Sequence, residues 1–460
     1  MNFNYGGVNL KSNLKNTISL KNILKITYPV ILSMFSLNIM TFVDRAFVSK
    51  SSISEFAAVV PASNLATTIS SIFIGIIGFG ATIIAQYNGA KSYDDCAKTL
   101  WNSIFLSIIF SLILLAISPI ASNTFALMGH HGKLLKYEIQ FFYLIIFSSC
   151  FQILSTGFSN FFKGISHTKE TMFVGIVSNI INILLDYILI FGRLGCPRLG
   201  GILGSGLSTL LSCFISVLMY IFLINKQTLK YRYNLFSNLK LDKNLALKLL
   251  HFGLPSGMQT FVGTGYFTLL LLIIGKTGEF NLSCANIAFT IESVSVWPVQ
   301  GIGIAIGIIV GNEIGAGKIH NIKKVLKKGL ILGFLFNIIL ILMFNIFPDV
   351  LIALFNSSNN KKILACTITL IKITSMWLVF DTIQIIIGNV LKSAGDTVFM
   401  MVIFTTVPFA FYIALPYILC VMSGLNIYWV WIDLLIFTFC MLALVSIRFV
   451  KGKWKTIQVI

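Results

Sequence analysis

The chain has 460 residues, 57% hydrophobic and only 11% charged, with 34 Lys and Arg against 15 Asp and Glu and a formal net charge of +19. A soluble domain carries about 25% charge, so this composition excludes an ordinary soluble enzyme or binding domain. The basic excess would suit a nucleic-acid partner, but its placement along the chain argues against one.

Apolar runs long enough to cross a hydrocarbon core of about 30 Å predict twelve spans, at 24–49, 55–86, 98–121, 137–162, 170–192, 202–225, 249–275, 281–312, 326–347, 363–391, 397–421 and 426–449. No short basic leader with a cleavage site precedes the first, which is expected to stay. With the N-terminus inside, most Lys and Arg fall on the inner side. Both termini are therefore expected in the cytoplasm, with the basic residues against lipid headgroups. The expected fold class is an all-α integral membrane protein of about twelve transmembrane helices in two pseudo-symmetric six-helix lobes. Residues 1–225 form the amino-terminal lobe, 226–248 a cytoplasmic linker, 249–450 the carboxy-terminal lobe and 451–460 a cytoplasmic tail.

The lobes rest on a repeat. Pro29, Gly89 and Ala90 recur as Pro255, Gly315 and Ala316, at an offset of 226. Further on the offset becomes 229, pairing Pro119 with Pro348, Lys133 with Lys362, Asn160 with Asn389, Lys163 with Lys392 and Thr168 with Thr397. In so apolar a chain, duplication points to a two-lobed transporter with its cavity between the lobes. Pro29 and Pro255 lie in first turns, where a missing N–H costs little. Pro298 lies well inside span eight and predicts a kink. Gly301, Gly303, Gly307, Gly311 and Gly315 are read as close packing, with a flexible gate as the alternative. Lys226, Lys230, Arg232, Lys240, Lys243 and Lys248 in the linker are read as an inside-positive tether, with an anionic-lipid or partner site as the alternative. Eight cysteines without CxxC spacing predict neither a disulfide framework nor a metal site, and His130-His131 is read as a solvated pair.

Acids inside the spans are few. Asp44, Asp186, Glu292 and Asp381 lie deep in apolar runs, and Asp433 lies nearer the start of span twelve. An ionised carboxylate at mid-membrane costs about 2.5–3.5 kcal/mol even on lenient scales, so a functional site is the default reading. A rise of 1.5 Å per residue brings Asp44 and Asp186 to similar depth on two spans. Asn179, Asn182 and Asp186 share one helix face. The two carboxylates and these oxygens could hold Na⁺ or carry a proton. Arg45 either snorkels outward or neutralises Asp44. In the other lobe Trp377, Asp381 and Gln384 share a face, and Glu292 precedes Pro298 by six residues. Asp433 is read as structural.

These residues carry a family resemblance that covers almost the whole chain. Pro29 with Val43-Asp44 looks like the opening helix of the multidrug and toxic-compound extrusion (MATE) transporters, closest to their bacterial NorM-like and DinF-like branches. Ala85-Gln86-Tyr87-Asn88-Gly89-Ala90-Lys91 resembles the family's Q-x-x-G-A-K segment. Asn182-x-x-x-Asp186 followed by Ile190-Phe191-Gly192 resembles its N-x-x-x-D motif, and Gly200-Gly201 through Thr209 its small-residue segment. Pro298, Val310-Gly311 and Gly315-Ala316-Gly317 resemble V-G-x-x-x-G-A-G. Asp381-x-x-Gln384 through Gly395-Asp396-Thr397 resembles D-x-x-Q and its G-D-T loop. The resemblance implies a central cleft between two lobes. It places an ion site at Asp44, Asn182, Asp186 and Thr209, and a second-lobe acid at Asp381, beside Gln384 and Glu292. The NorM-like branch has a Glu in span seven, eight residues after the proline, where this chain has Gly263; the departure shifts weight to the amino lobe.

The expected function is secondary active multidrug efflux by alternating access, exchanging cationic or amphipathic compounds for Na⁺ or H⁺. No catalytic site, cofactor or nucleic acid is expected. The expected partners are small compounds and membrane lipids, and the expected state is a monomer in a bacterial plasma (inner) membrane. A flippase or exporter of lipid-linked or polysaccharide precursors is the alternative, and would need cationic groups for pyrophosphate. A major-facilitator carrier should show a basic G-x-x-x-D-R loop, absent here. A channel would not require duplicated lobes with buried acids. No Ser/His/Asp constellation, metal spacing or nucleotide loop argues for an enzyme.

Overall fold

The computed structural model describes residues 19–237, 239–353 and 361–460. The expected cytoplasmic segment before span one falls in residues 1–18, outside the described ones. Twelve helices are long and apolar enough to span: Leu20–Ser51, Glu55–Gly89, Tyr93–Leu127, Gly132–Gly164, Thr168–Phe191, Gly200–Ile224, Lys243–Gly275, Glu279–Gly315, Ile319–Ile346, Lys361–Ser393, Thr397–Met422 and Tyr428–Lys451. Each predicted span is present, and most run past their predicted ends. The apolar count stops where charge begins, whereas the helix continues. In span three, for example, Asp94 and Asp95 fill the first turn, where the helix dipole favours acids.

Two local departures, in spans two and eleven, follow from backbone chemistry. Span two is two helices, Ile53–Gly78 and Gly80–Gly89, meeting at Phe79. The Ile77 carbonyl at this break accepts a hydrogen bond from Asn160 Nδ2 at 2.6 Å. Span eight continues as helix through Pro298. Span eleven widens into π-helical turns at Phe409–Ala414 and Tyr417–Met422, directly after Pro408 and Pro416. A proline lacks the N–H that would close its turn and crowds the preceding carbonyl, and a widened turn relieves both.

The first six spans pack together, chiefly two against four, four against six and one against five. The last six pair eight with ten, ten with twelve and seven with eleven. Between the lobes, span two meets span seven and span one meets span eight, as a duplicated chain should do about a pseudo-twofold axis. Span seven is pinned to span eleven by Tyr266 donating to the Thr405 carbonyl at 3.0 Å.

One end of the interface is shut by reciprocal contacts. Gln86 Nε2 donates across it to the Ser393 carbonyl at 2.8 Å, and its repeat mate Asn312 Nδ2 donates to the Gly164 carbonyl at 3.2 Å. Asn88 donates to Asn312 Oδ1 at 2.7 Å. A methyl on Gly89 would overlap the Asn312 carbonyl, and one on Gly315 the Gln86 carbonyl. Further along, a methyl on Gly307 would lie 2.6 Å from Ser393 Oγ and one on Gly311 2.9 Å from the Ala85 methyl. The glycine stripe is thus close packing, as expected. Gly75 against Gly257 forms the next crossing. Past it, Asn64, Thr67, Thr260 and Gly263 are exposed, and a methyl on Gly263 or Gly265 would meet nothing within 4 Å. The cleft widens toward that end.

Two further fastenings lie at the shut end. Arg448 grips the buried Asp396 with two hydrogen bonds, at 2.6 and 2.9 Å, joining the turn between spans ten and eleven to span twelve. Val459 and Ile457 of the tail pack over Gly395 beside Phe252, which stacks on Phe79 of the amino lobe at 5.7 Å.

A Gly315→Ala variant should push the shut end apart, because the obstacle is backbone. A crosslink between cysteines placed by Asn88→Cys and Asn312→Cys should form readily without it and fade with it, read by gel mobility. Arg448→Ala leaves a buried charge unpaired and should lower stability by on the order of 3 kcal/mol, measured as the unfolding midpoint in detergent.

Candidate functional site

Span one supplies Asp44 and span five Asp186, and the two carboxyl groups are in hydrogen-bonding contact. Asp186 is fully buried, and its Oδ1 has no hydrogen-bond donor. Ser205 Oγ donates to Asp44 Oδ1 at 2.5 Å. Asn182, with its nitrogen turned toward Asp186, donates to Oδ2 at 3.3 Å and accepts from the Thr209 backbone N–H at 3.2 Å. Thr209 Oγ1 donates to the Ser205 carbonyl at 3.0 Å. The four amino-lobe residues singled out in the sequence therefore meet in one place. Asn179 is not among them; it bonds Ser36 Oγ at 2.9 Å. Arg45 is exposed and forms no ion pair among the described residues, though its charge still acts on the neighbouring Asp44.

Carboxylate oxygens only accept. Two carboxylates in contact need a proton or a cation between them. Two carboxyl groups and the Ser205 and Thr209 hydroxyls are a hard oxygen donor set, with the Asn182 nitrogen holding Asp186 in place, which suits Na⁺ or a shared proton. Among the described residues no cluster of three or more His, Cys, Asp or Glu could hold a metal ion. Ser205 was missed from sequence, although it precedes Thr209 by one helical turn and so shares its face.

The carboxy lobe holds a cavity of about 520 Å³. Trp377, Asp381, Gln384, Gly388 and Lys392 of span ten line one wall, Glu292 and Trp297 of span eight another. Trp377 Nε1 donates to Glu292 Oε1 at 2.8 Å. Tyr412 reaches the wall from a π-helical turn of span eleven, beside Phe289 and Phe437. Gln259 and Gln384 each present a buried Oε1 without a donor. Gly263 also borders the cavity. The Glu that the NorM-like pattern places there is absent, and Glu292 brings a carboxylate to the same space from the neighbouring helix. Glu292, Asp381 and Gln384 are thus brought together, well apart from Asp44 and Asp186. Asp433 is buried with one oxygen unpartnered and does not line the cavity.

The MatE family matches residues 29–188 and again 255–418, one copy on each side of the linker. A probable multidrug resistance protein NorM of Oceanobacillus iheyensis is 28% identical over 398 residues, 84% of this chain and 87% of the relative. A probable NorM of Thermotoga maritima is 26% identical over 418 residues, 90% and 88% of the two chains. Among solved structures, an outward-facing multidrug resistance MATE family transporter superposes with a TM-score of 0.86 at 18% identity, covering 94% of this chain and 96% of the other. A transporter of the MOP superfamily from Pyrococcus furiosus gives 0.84 at 17% identity, covering 95% and 97%. With a paired match over most of its length, the same twelve-helix fold and the motif residues in place, the chain belongs to the MatE family of membrane transporters.

Proposed function

We propose that the protein is a secondary active multidrug exporter that exchanges amphipathic cations for Na⁺ or H⁺ across a bacterial plasma membrane. The observation that carries this reading is the contact between Asp44 and Asp186, two acceptors on separate helices that require a cation or proton between them. Span one is the element through which binding would act, since it packs on span five of its own lobe and on span eight of the other. Loss of the cation or proton between them would part Asp44 from Asp186 and shift span one against Gly301, where a methyl would lie 3.1 Å from Ile31, and so bias the lobe interface. The shut end carries the basic linker, and the positive-inside rule supports a cytoplasmic position for that end, with the cleft open outward. The carboxy-lobe cavity suits an organic cation. Its volume is in the range of drug-sized sites, its acids supply charge, and its aromatic faces attract cations. A flippase for pyrophosphate-linked precursors would need several cationic groups; the amino-lobe site has none and the cavity has one lysine.

In vesicles with an imposed ion gradient, Asp44→Asn and Asp186→Asn should each lower gradient-driven efflux by roughly tenfold, the scale of a typical coupling free energy. Full efflux in both variants would remove the ion site. Adding Na⁺ at zero pH gradient separates the two coupling ions. For the cavity, tetraphenylphosphonium should quench tryptophan fluorescence through Trp297 and Trp377. Glu292→Gln and Asp381→Asn should each weaken its binding several-fold, and the pair together more than either.

A further inference from the structure

The carboxy-lobe cavity carries opposite charges at its two ends. Asp381 and Lys392 stand eleven residues apart on span ten, three helical turns on one face, and both line the cavity. Glu292 joins Asp381 at one end through Trp377. At the other, Lys392 has no hydrogen-bond acceptor or carboxylate partner among the described residues. Asp396, four residues on, is taken by Arg448. Asn389, three residues before Lys392, has its amide nitrogen on the Ile385 carbonyl. An ammonium has three donors to satisfy, and this one borders the cavity with none of the lining acceptors in hydrogen-bonding contact with it, the Gln259 and Gln384 oxygens included.

Geometry sets the spacing. Eleven residues at 1.5 Å rise separate the two Cα atoms by about 16 Å. Side chains of a helix lean toward its N-terminus, so the Lys392 stem points back along the cavity toward Asp381, and the ammonium lies roughly 10 Å from the acids. A ligand with only a positive charge leaves Lys392 unsatisfied and is repelled by it.

We propose that Lys392 is a specificity-determining residue which makes this cavity a receptor for zwitterionic amphipaths, with the ligand's cation at Glu292 and Asp381 and its anion at Lys392. The inference rests on the cavity being a substrate site. It adds a charge-spacing rule that the acids alone do not impose. A rigid aromatic core about 10 Å long, flanked by the lining rings, would bridge the two ends.

The test uses purified full-length protein and a matched pair of probes, 4′-(trimethylammonio)biphenyl-4-carboxylate and its methyl ester, titrated calorimetrically at constant pH. The parent should bind the zwitterion roughly tenfold more tightly than the ester, the scale of one hydrogen-bonded charge. Lys392→Met should invert the preference, and Lys392→Arg should restore it; ester binding by the Met variant reports that it is folded. Equal binding of the two probes by the parent, or equal loss of both in Lys392→Met, overturns the proposal while leaving the cavity as a cation site. Failure of tetraphenylphosphonium and both probes to bind the parent overturns the cavity reading and this inference with it.

Discussion

Two amide side chains, Gln86 and Asn312, each reach across the lobe boundary to a backbone carbonyl on the other side. They can do so because Gly89 and Gly315 let the two backbones come closer than any side chain permits. Neutral hydrogen bonds in a low-dielectric setting are strong when made and costly when orphaned, so this contact favours two well-separated conditions, joined or parted, over intermediate ones. The placement of everything else follows. With the lobes joined at one end, span one is held between spans five and eight, and the cleft is left to widen at the other.

The chemistry is divided unequally between halves of similar shape. In the amino lobe two acids, one amide and two hydroxyls crowd together. In the carboxy lobe the acids face a cavity broad enough for a drug-sized molecule, with indole and phenyl rings around it. The first arrangement suits a small hard cation, the second a large soft one. Separate sites permit exchange without direct competition, provided a shared element transmits occupancy, and span one is placed to do so.

Much of this was legible in the sequence. Recurrent prolines and glycines give the halves away because duplication preserves backbone constraints longer than side-chain detail. Asp44, Asp186, Glu292 and Asp381 stand out because an acid inside an apolar run is expensive. Depth alone paired Asp44 with Asp186, since helical rise is nearly invariant. Other features were not legible. The break at Phe79 and the wide turns of span eleven depend on neighbours that accept or donate the freed backbone groups, as Asn160 does for Ile77. Ser205 looks like any small packing residue until span one is laid against it. Glu292 and Trp377 are far apart in sequence, and nothing local announces their hydrogen bond. The direction of Arg45 depended on which face of span one meets its own lobe.

The reciprocal crossing also bears on ancestry. A chain of half this length would carry both parts of the contact: the amide that donates and the carbonyl that accepts, with the glycine that allows the approach. Two such chains of six spans, an even number, would insert with the same orientation and satisfy each other about a twofold axis along the membrane normal. The present interface thus has the form that a homodimer of such half-length chains would have. Fusion removed the requirement that every substitution serve both positions at once. Only then could one copy keep a paired carboxylate and the other open a cavity.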